Sequence, residues 1–275
     1  MPGIHINQES SLDLQLKGQH ALVTGSTAGI GYAIAYALAA EGASVTINGR
    51  TQSGVDKALH KLKAALPEAT LQGIAADASH AAGCEQLISH SDRIDILVNN
   101  LGIFDPKPFE SIPDADWLRF FETNVMSGVR LSRAVLPGMK QRNQGRIVFI
   151  SSESGICPPA EMVHYGMTKS AQLSIARGLA ETCVGTAVTV NSVLPGPTLT
   201  EGAKDFFDKL AKEQGLSFDA AAKAFFEQAR PTSLLRRFIQ PDEVASMVAY
   251  VCSPKSAATN GAALRVDGGV VRSIV

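Results

Sequence analysis

The amino-acid sequence predicts an α/β protein in which helices cover both faces of a parallel β-sheet. Short runs rich in β-branched residues alternate with longer segments of helical pattern along the chain, and this alternation is typical of βαβ units. The short runs are apolar almost throughout, as expected for strands that are buried on both faces of a sheet. Because there is no internal repeat and no linker rich in Pro and Ser, we predict one domain.

The strands and helices follow one another in a regular order. The apolar runs predict seven strands, near residues 20–24, 43–48, 70–75, 94–98, 146–150, 186–193 and 263–266. The helical patterns between them predict helices near residues 30–41, 54–66, 81–90, 115–141, 165–184 and 241–252. Gly42 and Gly185 lie where two of these helices are expected to end, and Pro241 lies at an expected helix start.

Two segments fall outside this alternation. Residues 1–16 lack the basic-then-apolar pattern of a signal sequence and are interpreted as an N-terminal arm before a domain over 17–275. Residues 200–240 form a long insertion with the aromatic pairs Phe206–Phe207 and Phe225–Phe226. Long insertions in compact domains are often lids or binding elements. Two compatible interpretations stay open, a substrate lid and two amphipathic helices whose Phe side chains pack onto the domain.

The composition indicates a soluble globular protein and argues against several other classes. Hydrophobic residues make up 45% and charged residues 19% of the 275 residues, and the formal net charge is −1. Nothing in this balance suggests a nucleic-acid or anionic membrane surface, and the apolar runs are too short to span a bilayer. The cysteines are scattered, without C-x-x-C or histidine clusters that would hold a metal, which favours reduced thiols in the cytoplasm.

A glycine-rich segment, TGSTAGIG at residues 24–31, lies between the first predicted strand and the first helix. Gly25, Gly29 and Gly31 provide the tight turn and the close backbone approach that a pyrophosphate needs at a helix N-terminus. Ser26, Thr27 and Ile30 complete the predicted phosphate site. The alternative is a glycine turn that only packs the helix against the sheet.

The end of the second predicted strand bears on which dinucleotide binds. In dinucleotide-binding folds an acidic residue at this position binds the ribose 2′-hydroxyl, whereas an Arg accommodates a 2′-phosphate. The sequence VTINGRT has Gly49 at the strand tip, Arg50 next, and no carboxylate. This favours NADP over NAD, unless Arg50 is only a solvated loop residue. Asp77, after the third strand, is placed to accept a hydrogen bond from the adenine amino group.

TGSTAGIG, NNLG, SS, Y-x-x-x-K and PG occur in this order and spacing, so that residues from about 14 to 270 resemble the short-chain dehydrogenase/reductase family. The resemblance implies a single Rossmann-type domain whose seven-stranded, doubly wound sheet has the order 3-2-1-4-5-6-7. It also implies an NAD(P) cofactor and a homodimer or homotetramer. Residues 17–275 are then the NAD(P)-binding catalytic domain.

The resemblance assigns the catalytic roles. Tyr165 matches the family's proton donor and acceptor, and Ser152, thirteen residues earlier, matches the hydroxyl that steadies the substrate oxygen. Lys169, one helical turn after Tyr165, is expected to lower the pKa of the phenol, together with the positive nicotinamide, and to bind the nicotinamide ribose. Asn124, in ETNVMSG, is expected to hold a water behind Lys169 and to extend a proton path to solvent.

The resemblance also completes the predicted cofactor site. Its further members are Ala78, Asn100, Leu101 and Gly102, the turn Pro195–Gly196 that brackets the nicotinamide, and Thr198, which matches a position that often contacts the carboxamide. NNLG departs from the family's usual N-N-A-G, and Leu101 is expected either to crowd the adenine-ribose side or to pack under the next loop.

We therefore expect an NADP-dependent oxidoreductase that interconverts a carbonyl and a secondary alcohol on a small, largely apolar substrate. Two alternatives stay open, a 3-oxoacyl reductase that acts on acyl chains and a catalytically silent NADP-binding regulator. An acyl-carrier substrate would favour a basic patch at the site mouth, and the residues available for it are Lys204, Lys209, Lys212, Arg236 and Arg237. No nucleic acid, membrane or metal is expected as a partner.

Overall fold

A computed structural model describes residues 13–91 and 93–274, so most of the predicted N-terminal arm lies outside the described residues. The sheet has seven strands in the order β3-β2-β1-β4-β5-β6-β7, and every neighbouring pair is parallel. This confirms the predicted fold class and strand order. The strands are β1 (His20–Val23), β2 (Ser44–Gly49), β3 (Leu71–Ala75), β4 (Ile96–Asn99), β5 (Gly145–Ile150), β6 (Val188–Pro195) and β7 (Ala263–Val266).

Helices connect the strands and cover both faces of the sheet. They are α1 (Gly29–Ala40), α2 (Gln52–Ala65), α3 (Ala81–Ser89), α4 (Asp114–Phe121), α5 (Ser127–Gln141), α6 (Val163–Glu181), α7 (Glu201–Gln214), α8 (Phe218–Gln228) and α9 (Pro241–Cys252). The single helix predicted over 115–141 is interrupted, because a π-helical turn, Glu122–Met126, separates α4 from α5. Within the described part of the chain, no helix is both long and apolar enough to cross a bilayer.

The sixth strand is displaced from its prediction for a reason visible in the pairing. It was expected over 186–193, but β6 continues to Pro195 because Leu194 and Pro195 pair with Arg265 and Val266 of β7. At its other end, Thr186 lies in a turn, where its backbone N–H donates to the carbonyl of Cys183. The PG turn therefore begins within β6, where Pro195 is paired with β7.

Two apolar clusters form the core, one on each face of the sheet. On one face, α1, α2 and α9 pack Ile34, Leu62 and Val248 against strand residues such as Val23. On the other face, α3, α5 and α6 pack against strand residues such as Leu22. Successive strand residues point to opposite faces, so both must be apolar when both faces are covered. The uninterrupted apolar runs in the sequence follow from this burial.

The insertion over 200–240 folds into α7 and α8 and has a core of its own. Phe207, Phe226 and Phe238 are buried there in one cluster, with Phe207 and Phe238 in edge-to-face contact at 4.9 Å between ring centroids. Thr200 and Ser217 cap the two helices by accepting hydrogen bonds from backbone N–H groups. The interpretation as two helices with inward-facing Phe side chains is consistent with this packing.

Candidate active site

The glycine-rich turn lies at the carboxyl end of β1, next to β4, where the strand order reverses. In open parallel sheets, ligands bind in the crevice at such a switch point. Gly25 and Gly29 have positive φ angles of 59° and 56°, which favour glycine. A Cβ at Gly31 would lie 2.5 Å from the carbonyl oxygen of Gly25. The sequence TGSTAGIG therefore forms a tight turn whose backbone a ligand can approach closely.

The N-terminus of α1 already holds an anionic group. The backbone N–H of Gly29 donates to a carboxylate oxygen of Glu201 at 3.0 Å, and the Thr200 side chain lies close over Gly29. A carboxylate in this position is chemically similar to a phosphate oxygen, so the turn fits the pyrophosphate of a dinucleotide. Sequence reasoning missed Thr200 and Glu201, although both follow closely on the PG turn.

The NNLG segment holds the glycine-rich turn in place through hydrogen bonds. Asn100 donates its side-chain amide to the carbonyl oxygens of Thr24 and Gly25 at 2.9 and 3.1 Å. The Thr24 hydroxyl accepts from the backbone N–H groups of Asn100 and Leu101, both at 3.0 Å. Leu101 lies against Gly25 and packs on the core. Ser26 is fully buried and donates to the carbonyl of Val23, so it holds the turn to the sheet.

The tip of β2 carries no acidic side chain at the position predicted to bind a ribose hydroxyl. A Cβ at Gly49 would lie 2.5 Å from Cγ2 of Thr27, so a larger residue at 49 would have to displace the Thr27 side chain. Arg50 follows, exposed to solvent. Asp77 accepts hydrogen bonds from the hydroxyl and backbone N–H of Ser79, and these bonds lower the pKa of its carboxyl group. Ala78, next to it, is buried.

Ser152, Tyr165 and Lys169 come together at the carboxyl end of β5. Ser152 lies two residues after the end of the strand and accepts from the N–H of Ser154, whereas Tyr165 and Lys169 lie one turn apart on α6. The Ser152 hydroxyl lowers the pKa of the Tyr165 phenol, against the larger effect of burial. The Lys169 Nζ atom lies 5.5 Å from the centroid of the Tyr165 ring. The predicted Y-x-x-x-K pair therefore shares one helix face, with the serine opposite.

Lys169 is buried, and its hydrogen bonds go to protein groups. Its Nζ atom donates to the carbonyl of Ile150 at 2.8 Å and to the side-chain oxygen of Gln172 at 3.3 Å. Burial is the main reason that the pKa of its ammonium group falls to about 7, while the charge of Glu153 opposes the change. A Cβ at Gly102 would lie 3.5 Å from this Nζ atom, so Gly102 leaves open space beside it.

The π-helical turn sets the position of Asn124. Its side-chain oxygen accepts from the N–H of Ile103 at 2.8 Å, and its amide donates to the carbonyl of Ile103 and the hydroxyl of Thr168. Its backbone carbonyl accepts from the side-chain amide of Gln172 at 2.6 Å. π-helical turns are rare and often occur at functional sites. Sequence reasoning missed Gln172, although it lies three residues after Lys169 on the same predicted helix.

In the chain by itself, Tyr165 is held in its protonated form. Burial, and next the negative charge of Glu153, raise the pKa of its phenol above 10.0, against the opposing effects of Ser152 and Arg230. Lys169 is not among the groups that change the pKa of Tyr165 in the chain by itself. Burial disfavours the charged form of this lysine. The site therefore holds Tyr165 as the neutral phenol, which is the form that donates a proton.

The PG turn closes the site on the other side. Gly196 comes so close to β7 that a Cβ there would lie 2.7 Å from the carbonyl of Asp267. Thr198 donates its hydroxyl to the carbonyl of Gly196, and its backbone pairs with Ile239. Pro195, Gly196 and Thr198 all line the cavity described next.

A cavity of about 580 Å³ joins these groups. It runs from Gly102 and the PG turn, past Ser152 and Tyr165, into the space under α7 and α8. Beyond the hydroxyls of Ser152 and Tyr165 its wall is mainly apolar, and the residues there include Ile103, Phe104, Met162, Phe206, Leu210 and Phe225. The insertion thus both packs on itself and roofs the cavity.

Comparison with known proteins agrees with this geometry. A model of the family described as short chain dehydrogenase matches residues 19–211. The chain is 50% identical over 263 residues to the uncharacterized oxidoreductase YvaG of Bacillus subtilis (strain 168). The aligned region covers 96% of this chain and 100% of YvaG. It is 32% identical to the D-beta-hydroxybutyrate dehydrogenase of Cupriavidus necator, over 93% of this chain and 99% of that protein.

A solved structure is also similar throughout. L-sorbose reductase from Gluconobacter frateurii, crystallised with NADPH and L-sorbose, superposes with a TM-score of 0.90 at 28% identity, covering 96% of this chain and 100% of that chain. The family match, the relatives and the shared fold lead to one conclusion: the chain belongs to the short-chain dehydrogenase/reductase family and is an NAD(P)-dependent oxidoreductase.

Proposed function

We propose that the protein is an NADP-dependent oxidoreductase that interconverts a carbonyl and a secondary alcohol on a small, largely apolar substrate. One observation carries the proposal. Ser152 and Tyr165 both line the apolar cavity at the point where it reaches the glycine-rich side of the sheet. A carbonyl oxygen placed there has two hydroxyl donors within reach, and its carbon faces the predicted nicotinamide site.

Each residue has a separate role in this proposal. The nicotinamide, when bound, supplies or accepts the hydride at the substrate carbon. Tyr165 donates the proton to the substrate oxygen in reduction and accepts it in oxidation. Ser152 orients that oxygen, and Lys169 holds the cofactor ribose beside Tyr165. Asn124 fixes the loop at Ile103 through a pair of hydrogen bonds, which positions one wall of the cavity.

The preference for NADP rests on charge and space at the tip of β2. Gly49 cannot be replaced by an acidic residue without displacing Thr27, so no carboxylate is there to bind a 2′-hydroxyl or to repel a 2′-phosphate. Arg50 is exposed next to Gly49, and its positive charge contributes to the lowered pKa of the Asp77 carboxyl group. An Arg–phosphate contact of this kind is worth about 1–3 kcal/mol. The NADPH bound to L-sorbose reductase is consistent with this preference.

The charges around the cavity favour the small apolar substrate over an acyl chain on a carrier. A carrier would need a free basic patch, but three of the five basic residues considered for it are paired with acidic side chains of the chain. Lys204 pairs with Asp208, Lys209 with Glu213, and Arg237 with Glu243. These bonds weaken the 3-oxoacyl alternative, and the aromatic wall supports a neutral ketone or alcohol.

We also propose that the protein works in the cytoplasm as a homotetramer or homodimer. All its cysteines are free thiols, as expected in a reducing compartment. Leu118 and Leu234 are 71% and 84% exposed, and exposed apolar side chains of this size are common where subunits meet. Light scattering of the purified protein tests the oligomer, and a mass equal to the 29.0 kDa of one chain would contradict it.

The cofactor experiment compares NADPH with NADH in thermal unfolding. A tighter ligand raises the unfolding temperature more, so NADPH should stabilise the protein more than NADH does. Arg50→Ala should remove most of this difference, whereas Lys63→Ala, an exposed cation on α2, should leave it unchanged. A panel of ketones and alcohols, followed at the nicotinamide absorbance, then tests turnover. Stronger stabilisation by NADH, or no turnover of any neutral ketone, would contradict the proposal.

A further inference from the structure

The wall of the cavity contains a carboxylate that has no role in the proposed reaction so far. Glu153 follows Ser152 in the chain, and both residues line the cavity together with Tyr165. The Glu153 side chain is only 7% exposed, and one of its oxygens accepts a hydrogen bond from the Ser152 hydroxyl. The carboxylate therefore lies directly beside the hydroxyl that is proposed to orient the substrate oxygen.

Arg230, which follows α8, is the charged partner of this carboxylate. Its Nε atom lies 3.4 Å from Glu153, and its Nη1 atom lies 3.1 Å from the carboxylate of Glu161. A buried carboxylate needs such a partner, because an unpaired charge is costly in the interior. All three side chains line the cavity. Since two carboxylates face one guanidinium group, this part of the wall disfavours an anionic substrate.

The pair of Glu153 and Arg230 can still bind a ligand group. An ionised carboxylate has about four acceptor positions, and Glu153 accepts from two side chains, those of Ser152 and Arg230. The Nη2 atom of Arg230 has no hydrogen-bond partner among the residues that the structure describes. The pair can therefore both accept a hydrogen bond from a ligand and donate one to it.

A hydroxyl group matches this pair better than a cation does. A hydroxyl can donate to the carboxylate of Glu153 and accept from the guanidinium group of Arg230 at the same time. An ammonium group only donates, and it would lie beside the positive charge of Arg230. The chemistry of the two side chains therefore favours a neutral hydroxyl group.

We propose that the substrate carries a hydroxyl group on a carbon next to its carbonyl, and that Glu153 and Arg230 bind this hydroxyl and so determine specificity. The second oxygen must lie close to the first, because Ser152 contacts Glu153 and also orients the carbonyl oxygen. The apolar remainder of the substrate lies along Phe206 and Phe225. Reduction then yields a vicinal diol. The inference names the substrate class of the proposed function and rests on it.

The test compares ketones that differ only by a hydroxyl group in place of a methyl group. The pairs are hydroxyacetone with butanone and phenacyl alcohol with propiophenone, each reduced with NADPH. The measured quantity is the ratio of kcat/KM for the hydroxy ketone to kcat/KM for its methyl partner. Glu153→Leu should lower this ratio by about tenfold or more relative to the wild type, because the hydroxyl loses a charged acceptor.

The ratio separates recognition of the hydroxyl from a merely structural role. Glu153→Leu also removes the acceptor of the Ser152 hydroxyl and a charge that raises the pKa of Tyr165. These two effects act on both ketones of a pair and cancel in the ratio. Glu227→Leu is the matched control, because this carboxylate on α8 is exposed and pairs with Lys223. It should leave the ratio within about twofold of the wild type.

Three results would overturn the proposal. The first is an equal ratio in the wild type and in Glu153→Leu, and the second is a wild type that reduces the methyl ketones faster than the hydroxy ketones. The third is faster reduction of aminoacetone than of hydroxyacetone, which would mean that the pair binds a cation.

A folding defect would not prevent the test. Should Glu153→Leu unfold, the double variant Glu153→Leu, Arg230→Leu replaces the whole ion pair by apolar side chains, and the same ratio is measured with it. A wild type that reduces none of these ketones would contradict the proposed function instead, so the two failures are distinguishable.

Discussion

At the scale of single residues, Lys169 shows how burial and charge oppose each other in this site. Its ammonium group is surrounded by protein, and burial lowers its pKa to about 7. A lysine near that value can carry a charge when an anionic partner arrives and lose it otherwise. The site thus leaves Tyr165 protonated in the chain by itself.

The lowered pKa of Lys169 predicts a pH-dependent stability. Between about pH 7 and 10.5 the unfolded chain binds a proton at this lysine that the folded chain does not. The free energy of unfolding should therefore rise with pH across this window, and Lys169→Met should lack this rise. Urea unfolding of both proteins at several pH values across the window measures the difference. Parallel pH dependences for the two proteins would show that the lysine is not shifted.

Gly31 gives a second prediction at this scale. Gly31→Ala should destabilise the protein by about 1–3 kcal/mol and abolish NADPH binding, because its Cβ would lie 2.5 Å from both the Gly25 carbonyl and the Asn100 amide. Gly202→Ala is the control, since no atom lies within 4 Å of a Cβ there, and alanine favours a helix. Urea unfolding and calorimetric titration with NADPH measure both effects. Normal NADPH binding by Gly31→Ala would refute the assignment of the turn.

At the scale of elements, the insertion and the glycine-rich turn are coupled. Glu201 begins α7 and its carboxylate binds the N–H of Gly29 at the start of α1, where the pyrophosphate is expected. The first helix of the cavity roof therefore contacts the predicted cofactor site directly. We propose that cofactor binding displaces this carboxylate, so that the roof has two positions that depend on the cofactor.

Glu201→Gln should bind NADPH more tightly than the wild type. Removing a negative charge from the anion site should gain about 1 kcal/mol, or several-fold in the dissociation constant. Glu213→Gln removes one charge from the far end of α7 and should leave the affinity unchanged. Calorimetric titration with NADPH measures both variants, and a weaker or unchanged affinity for Glu201→Gln would contradict the coupling.

At the scale of the whole molecule, the sheet was predictable and several contacts of the site were not. The apolar runs predict all seven strands, because strands that are buried on both faces are apolar almost throughout. The family resemblance predicts their order in the sheet. The motifs Y-x-x-x-K and TGSTAGIG likewise depend on local spacing along one helix or one turn.

The contacts of the site that the sequence did not predict join distant parts of the chain. The π-helical turn before α5 has no signature in composition and frees the Asn124 carbonyl for Gln172, which is 48 residues away. The contact between Glu201 and Gly29 spans 172 residues. The lowering of the Tyr165 pKa by Lys169 and the nicotinamide stays a prediction, and the burial and the charge of Glu153 that raise this pKa in the chain by itself are properties of the folded site.

The most direct test of the whole account is the reduction of a neutral ketone by NADPH with Tyr165→Phe. This change removes one of the two hydroxyls at the cavity, leaves Ser152 in place and does not touch the glycine-rich turn. The account predicts that the turnover number falls by about 10³-fold or more, while the affinity for NADPH stays within about twofold of the wild type. Turnover within tenfold of the wild type would contradict the assignment of Tyr165 as the proton donor.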